Sequence, residues 1–157
     1  VVKWLTYPTR QELPLLAEAA QASLKEIGIE VDINNTLDVN EVVQDASAWD
    51  VYAMANVQAP TGDPEYWFRV FALSDSAKNQ GKYSNAQLDA LDEQLSQEFD
   101  TAKRADLAVQ MQQILLDDNA FVFCSFLKMS MISRSNVSNY TSHACDYYQI
   151  TADLDIE

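Results

Sequence analysis

Three observations predict an α/β fold with a mixed, mostly parallel sheet flanked by helices. The chain opens with a strand–helix–strand run, Val2 to Tyr7, Leu13 to Ile27 and Ile29 to Ile33. Next, from Trp49 to Phe71, a buried-looking strand at Val51 to Ala55 empties into a loop holding Pro60, Gly62 and Pro64, then restarts as an aromatic-rich helix. After Ser84 come two long helical patterns. Strand, irregular loop and helix start is how α/β proteins present ligands, because a helix N-terminus offers unpaired N–H groups beside the strand's carboxyl end.

Each element has its own local reason. Pro8 ends the first strand, Pro14 suits the first turn of the helix that follows, and Gly28 is its stop. Leu13, Leu16, Ala20, Leu24 and Ile27 recur at spacings of three and four, which predicts one buried helical face. Ile29, Val31 and Ile33 alternate with Glu30, Asp32 and Asn34, a strand with one wet face. Together these make a βαβ unit with parallel strands and a right-handed crossover. Asp38 to Ala46 reads as a shorter helix. Asp63 and Pro64 supply an N-cap and a first-turn proline for a helix from Glu65 to Ala72. Ser84 to Gln87 has the spacing of a capping box, launching a helix with Leu88, Leu91 and Leu95 inward. Asp100 caps the next helix, which turns Leu107, Met111 and Ile114 inward and closes around Asp118 and Asn119. Ala120 to Ser133 reads as one long or two short strands, with a late strand at Phe121 to Leu127, and the tail from Ser135 as irregular.

Composition narrows the function. The chain has 157 residues, 48% hydrophobic, with only 3 glycines and 4 prolines, enough for one domain with a core. Its formal net charge is -14, which repels nucleic acid and anionic lipid and leaves a cationic partner permitted. No apolar run approaches the roughly 20 residues of a membrane span. The first residues read as a strand, not a signal peptide, and predict a piece of a longer protein. Cys124 and Cys145 lack metal or redox spacing. Cys124 is expected in the core, and a disulfide between the two stays open for an exported protein.

Catalytic apparatus is sparse. The one histidine, His143, lies in the least regular part of the chain, and no nucleophile elbow or Gly-rich phosphate cradle occurs. Zinc and calcium sites lack their ligand sets. That favours a binder over an enzyme, with no cofactor or metal expected. Asn56, Gln58 and Thr61 place neutral hydrogen-bonding groups at the end of the third strand, where ligand contact and ordinary loop polarity are equal readings. Phe68 and Phe71 are assigned to the core, whereas Tyr66 and Trp67 suit either the core or a ligand cleft. A small acidic hydrolase domain using Asp63 and His143 is the alternative from another class. A protein-interaction domain is a third, against which the polar loop counts.

Several phrases recur here in order: Lys25-Glu26-Ile27-Gly28-Ile29-Glu30-Val31, Trp49-Asp50-Val51, the Asp63-Pro64 loop, Tyr83-Ser84-Asn85, and Asp100 with Lys103-Arg104. The ordered set resembles the C-terminal lobe of the solute-binding proteins that serve peptide and nickel ABC importers (extracellular solute-binding protein family 5). The resemblance implies a periplasmic-binding-protein type II-like lobe spanning residues 1–157, whose tail at 135–157 returns toward lobe I. It implies a small solute, a transporter permease and lobe I of the same receptor as partners, and a place in the periplasm or lipid-anchored at the cell surface.

Departures from the family pattern bear on the solute. Peptide-type members place an aspartate three residues before the Asp-Pro aspartate to take the peptide's ammonium group, and Pro60 stands there. The arginine that takes the carboxylate in dipeptide-type members falls at Tyr7 by ungapped alignment. Losing both partners would cost a buried zwitterion several kcal/mol. Ala59-Pro60-Thr61-Gly62-Asp63-Pro64 is more similar to the nickel and metallophore branch. The segment from Leu73 to Gln80 has no histidine, so a carried metal is expected inside an organic chelator. Lys78, Asn79 and Tyr83 are then the implied contacts to chelator carboxylates.

Overall fold

The computed structural model describes residues 1–128, 130–143 and 150–156. Strand β1 (Val2–Thr6) lies at the centre of a three-stranded parallel sheet, with β2 (Val31–Asn35) on one side and β3 (Val51–Tyr52) on the other. Helix α1 (Glu12–Glu26) makes the crossover from β1 to β2 and packs against both, so the βαβ unit forms as the spacing predicts. A short helix, α2 (Val39–Val42), joins β2 to β3.

Helix α1 stops on a Schellman motif. Gly28, at φ 82°, donates to Lys25 O, and Ile29 N–H donates to Leu24 O. That use of Ile29 moves the start of β2 from the expected Ile29 to Val31. Ile27 ends up at the helix terminus with 71% exposure rather than on the buried face, where Leu13 and Ala17 are the buried residues. Strand β3 is also shorter than the expected run to Ala55. Ala53 N–H still reaches Leu5 O, but β1 ends at Thr6, and Ala55 N–H donates to the Tyr7 hydroxyl instead (3.2 Å). The helix expected from Asp38 to Ala46 keeps only its first turn and continues as hydrogen-bonded turns.

The chain forms two compact units, residues 1–56 and 57–157. In the first, Leu5, Val39 and Val43 make a small core with Tyr7, Trp49 and Tyr52 packed on it. The second is built on α4 (Ala86–Gln97) and α5 (Thr101–Asp117). Leu88, Leu91, Leu95, Ala108, Met111 and Leu115 fill its core together with Phe68, Ala72 and Leu73. The aromatic-rich helix begins as one α-turn, α3 (Glu65–Trp67), and widens into a π-type turn at Phe68–Ala72, where Leu73 N–H donates to Phe68 O.

Caps explain where α4 and α5 start. Asp100 accepts from the N–H groups of Ala102 and Lys103, as expected. The cap of α4 is Asn85, accepting from Gln87 and Leu88 N–H, not Ser84, whose hydroxyl bonds Ser74. Asn85 wins because Asn stabilises an N-terminus at least as well as Ser and stands one residue nearer the turn. Helix α5 ends with Asn119 at φ 52°, a second Schellman stop made by a non-glycine.

Three expectations for the C-terminal part are corrected. No strand forms at Phe121 to Leu127, because no described strand lies beside it to accept a ladder. Cys124 is therefore exposed, not a core residue, and Cys145 lies outside the described residues. The tail is not wholly irregular, since β4 (Val137–Ser138) and β5 (Asp155–Ile156) pair antiparallel. We expect Met111→Ala to cost about 2–5 kcal/mol in chemical denaturation, the range for emptying a filled core position. Phe126→Ser, at a side chain 78% exposed, should stay within about 0.5 kcal/mol of wild type.

Candidate functional site

The loop at 57–63 is set by a tight turn, in which Gly62 N–H donates to Ala59 O (3.0 Å) with Gly62 at φ 84°. A positive φ of this size is cheap only for glycine. Asp63 then accepts from Glu65 N–H (2.9 Å), so it caps the aromatic helix as the Asp-Pro pair predicts. Its carboxylate also receives both arms of the Arg104 fork, Nε at 3.0 Å and Nη2 at 2.8 Å. Nη2 also meets Glu65 Oε2 (2.8 Å), while Nη1 donates to the carbonyls of Leu95 and Glu98 at the end of α4. One side chain, 17% exposed, thus ties the loop, the start of α3, the end of α4 and the start of α5.

Electrostatics follow from that fork. The Arg104 hydrogen bonds hold the Asp63 carboxyl below its ordinary value of 3.8, and the two carboxylates keep Arg104 firmly charged. A carboxylate pinned by Arg104 and held ionised at neutral pH is a poor general acid or base. His143 is exposed, and nothing here favours the hydrolase alternative.

The sequence-predicted residues divide between the two units. Tyr7 and Asn56 belong to the first, where the Tyr7 hydroxyl is engaged with Ala55 N–H and Asn56 is exposed. In the second, Gln58 and Pro60 are half-buried and Thr61 is exposed. Tyr66 points out on α3. Trp67 is half-buried and meets Phe68 and Phe121 edge-on, with Phe71 and Phe123 tilted against it. Phe68 and Phe71 are core residues, as predicted. Lys78 is exposed, its Nζ 5.9 Å above the Phe71 ring.

Two residues turn out to hold the loop after the aromatic turn. Asn79 is 3% exposed and donates to the carbonyls of Leu73 and Tyr83 while accepting from Tyr83 N–H. Its amide is spent inside the loop. The Tyr83 hydroxyl donates to Asp118 (2.6 Å), which Asn85 also donates to (2.8 Å). Burial, reinforced by that carboxylate, pushes the Tyr83 hydroxyl up to about 12.

Sequence reasoning missed Arg104 and Asp92 as determinants. Asp92 falls at helical spacing between Leu88 and Leu95, so its burial was readable from the α4 pattern. Arg104 carried no such sign, because its partners lie 41 and 39 residues away in the chain.

The parallel sheet with its crossover helix, followed by helical elements, is the α/β architecture of type II periplasmic-binding proteins. No protein-family model matches the chain. It is 30% identical over 139 residues to the nickel-binding protein NikA of Staphylococcus aureus, covering 88% of this chain and 28% of NikA. Among solved structures it resembles Staphylococcus aureus NikA in complex with Ni(L-His)2, at TM-score 0.78 and 27% identity, covering 99% of this chain and 34% of the other. It likewise resembles a nickel ABC transporter protein from Bacillus halodurans, at TM-score 0.77 and 28% identity, covering 99% and 33%. The chain therefore spans about a third of the length of these relatives. In sequence and fold it is similar to the peptide/nickel solute-binding proteins, on the side of their nickel branch.

We expect Arg104→Ala to destabilise the chain by about 2–4 kcal/mol, somewhat under the full cost of breaking a buried pair because Asp63 is 40% exposed. Asp63 has a depressed folded value, so its contribution should be whole above pH 3.8 and lost as pH falls below that. The gap in melting temperature between wild type and Arg104→Ala should narrow there but not close, since the bonds to the Leu95 and Glu98 carbonyls remain. In a spectrophotometric titration, one of the seven tyrosines should ionise near pH 12 and vanish in Tyr83→Phe.

Proposed function

We propose that residues 1–157 are the C-terminal ligand-binding lobe of a two-lobed receptor, the solute-capture component of an ABC importer. It works outside the cytoplasm, and among the described residues no helix is long and apolar enough to cross a membrane. The solute is a peptide, nickel or a metal–chelator complex, and a chelated metal suits these residues best. The observation that carries this reading is the fold likeness to nickel-binding receptors over 99% of the chain. Gln58, Thr61, Tyr66 and Trp67 offer neutral hydrogen bonds and aromatic faces, which recognise the organic rim of a chelate better than a bare ion. Lys78 adds one cation for a chelator carboxylate. Capture needs closure on the solute and no chemistry upon it.

Lobe I of the same receptor and the transporter permease are the protein partners in this reading, and nucleic acid is not one. Val122, Phe126, Leu127 and Ile132 support a covering partner, since all four are exposed and lie within about a dozen residues of one another. The rest of the receptor is the occupant that a chain of one-third length calls for.

Native mass spectrometry of the full two-lobed protein from its host should show a bound metal–chelator mass; a bound plain dipeptide would overturn the solute class. This chain alone should bind nickel with two histidines, or short peptides, no tighter than about 1 mM, because one lobe supplies only part of the contact surface. In the full receptor, Gln58→Ala or Tyr66→Ala should weaken binding of nickel–histidine about tenfold with little change in melting temperature. Trp67→Ala should also cost about 2–3 kcal/mol of stability, since its ring packs on the core. Intact affinity in all three variants would remove these residues from the site.

A further inference from the structure

Five side chains of the second unit form one chain of opposite charges: Asp63, Arg104, Glu65, Arg69 and Asp92. Arg104 bridges Asp63 and Glu65, and Arg69 bridges Glu65 (2.9 Å) and Asp92 (3.3 Å). Three carboxylates face two guanidiniums, so one negative charge is left over. Its place is set by geometry. Asp63 and Glu65 have close, multiple donors, whereas Asp92 has a single long contact. Asp92 is 4% exposed, and its Oδ1 has no hydrogen-bond partner among the described residues. The other groups acting on it are Glu65 and Asp75, both negative, and Arg104 of α5 enters the network only through Glu65.

We propose that Asp92 is a proton-binding latch between α4 and the aromatic turn at 65–72, in which protonation of its carboxyl releases Arg69 and removes that one tie, leaving Arg104 and the packing of Phe68 to hold the turn while its outer face shifts. The ionised form is held by Arg69 alone, on the side of α4 that also buries Leu88, Leu91 and Leu95. Burial raises the Asp92 carboxyl above its ordinary 3.8, with Arg69 opposing and Glu65 adding to the rise. A raised folded value gives a contribution that is whole at pH below the unfolded value and lost as pH rises through the folded one. The charged carboxylate therefore costs stability at neutral pH while holding the turn in place. Arg69, 54% exposed, rotates into water at little cost once the partner is neutral. Tyr66 and Trp67 sit on the tethered turn, so the latch bears on their positions whatever solute the protein takes.

Carbon-13 titration of the Asp92 carboxyl in unmutated protein should give a midpoint above that of an exposed aspartate, about 3.9. A midpoint at or below it overturns the proposal. The Trp67 indole resonance should move with the same midpoint and stay fixed in Asp92→Asn. A carboxyl that titrates while the indole stays still in wild type removes the latch. Melting curves between about pH 4 and pH 8 should show Asp92→Asn more stable than wild type by a few degrees at neutral pH, the gain shrinking toward acid. A difference of constant size across that range would mean a purely structural carboxylate and would also overturn it.

Discussion

The second unit depends on the guanidinium of Arg104. Its donors reach the carboxylates of Asp63 and Glu65 and the carbonyls of Leu95 and Glu98. Those carbonyls end α4, where a helix has no internal donors left and carries partial negative charge. A planar, always-charged fork can serve a carboxylate and a helix terminus together, which an ammonium point charge cannot do with the same geometry. Desolvating one cation is offset because every direction it faces holds an acceptor. The loop, the aromatic turn and the α4–α5 junction are therefore positioned by one side chain.

That arrangement also shapes the polar surface near the candidate contacts. Asp63 belongs to the scaffold: it caps α3 and anchors Arg104, leaving Gln58, Thr61 and Tyr66 as the groups available at the loop. The same division recurs beyond the aromatic turn. Asn79 closes the loop on itself and Tyr83 binds Asp118, while Lys78 stays at the surface over Phe71. An irregular loop needs this economy, since backbone polar groups without a ladder must be satisfied by side chains.

The aromatic turn joins packing to charge. Phe68 and Phe71 fill the core, Trp67 covers its edge, and Arg69 between them reaches out to Glu65 and Asp92. The π-type widening at Phe68–Ala72 accompanies this dual demand, for the same five residues must bury two rings and expose a guanidinium. Retaining a buried aspartate where a leucine would pack costs stability, and the Arg69 contact offsets only part of it.

Much of this was legible in the sequence because it is local. The parallel βαβ unit follows from spacing within a few residues, as do the Asp63 and Asp100 caps, the Gly28 stop and the inward leucines of α4. Family phrases in order placed the chain among nickel and peptide solute-binding proteins. What the tertiary structure decided is what depends on partners far along the chain. Phe121 to Leu127 has strand composition, yet a strand needs a neighbour, and Cys124 followed that segment into solvent. β4 and β5 pair across residues that look irregular alone. Arg104 entered the sequence reading only as part of the Lys103-Arg104 phrase, with no role until its acceptors at residues 63 and 65 converged on it, because a sequence records charge and period but not which distant groups share one volume.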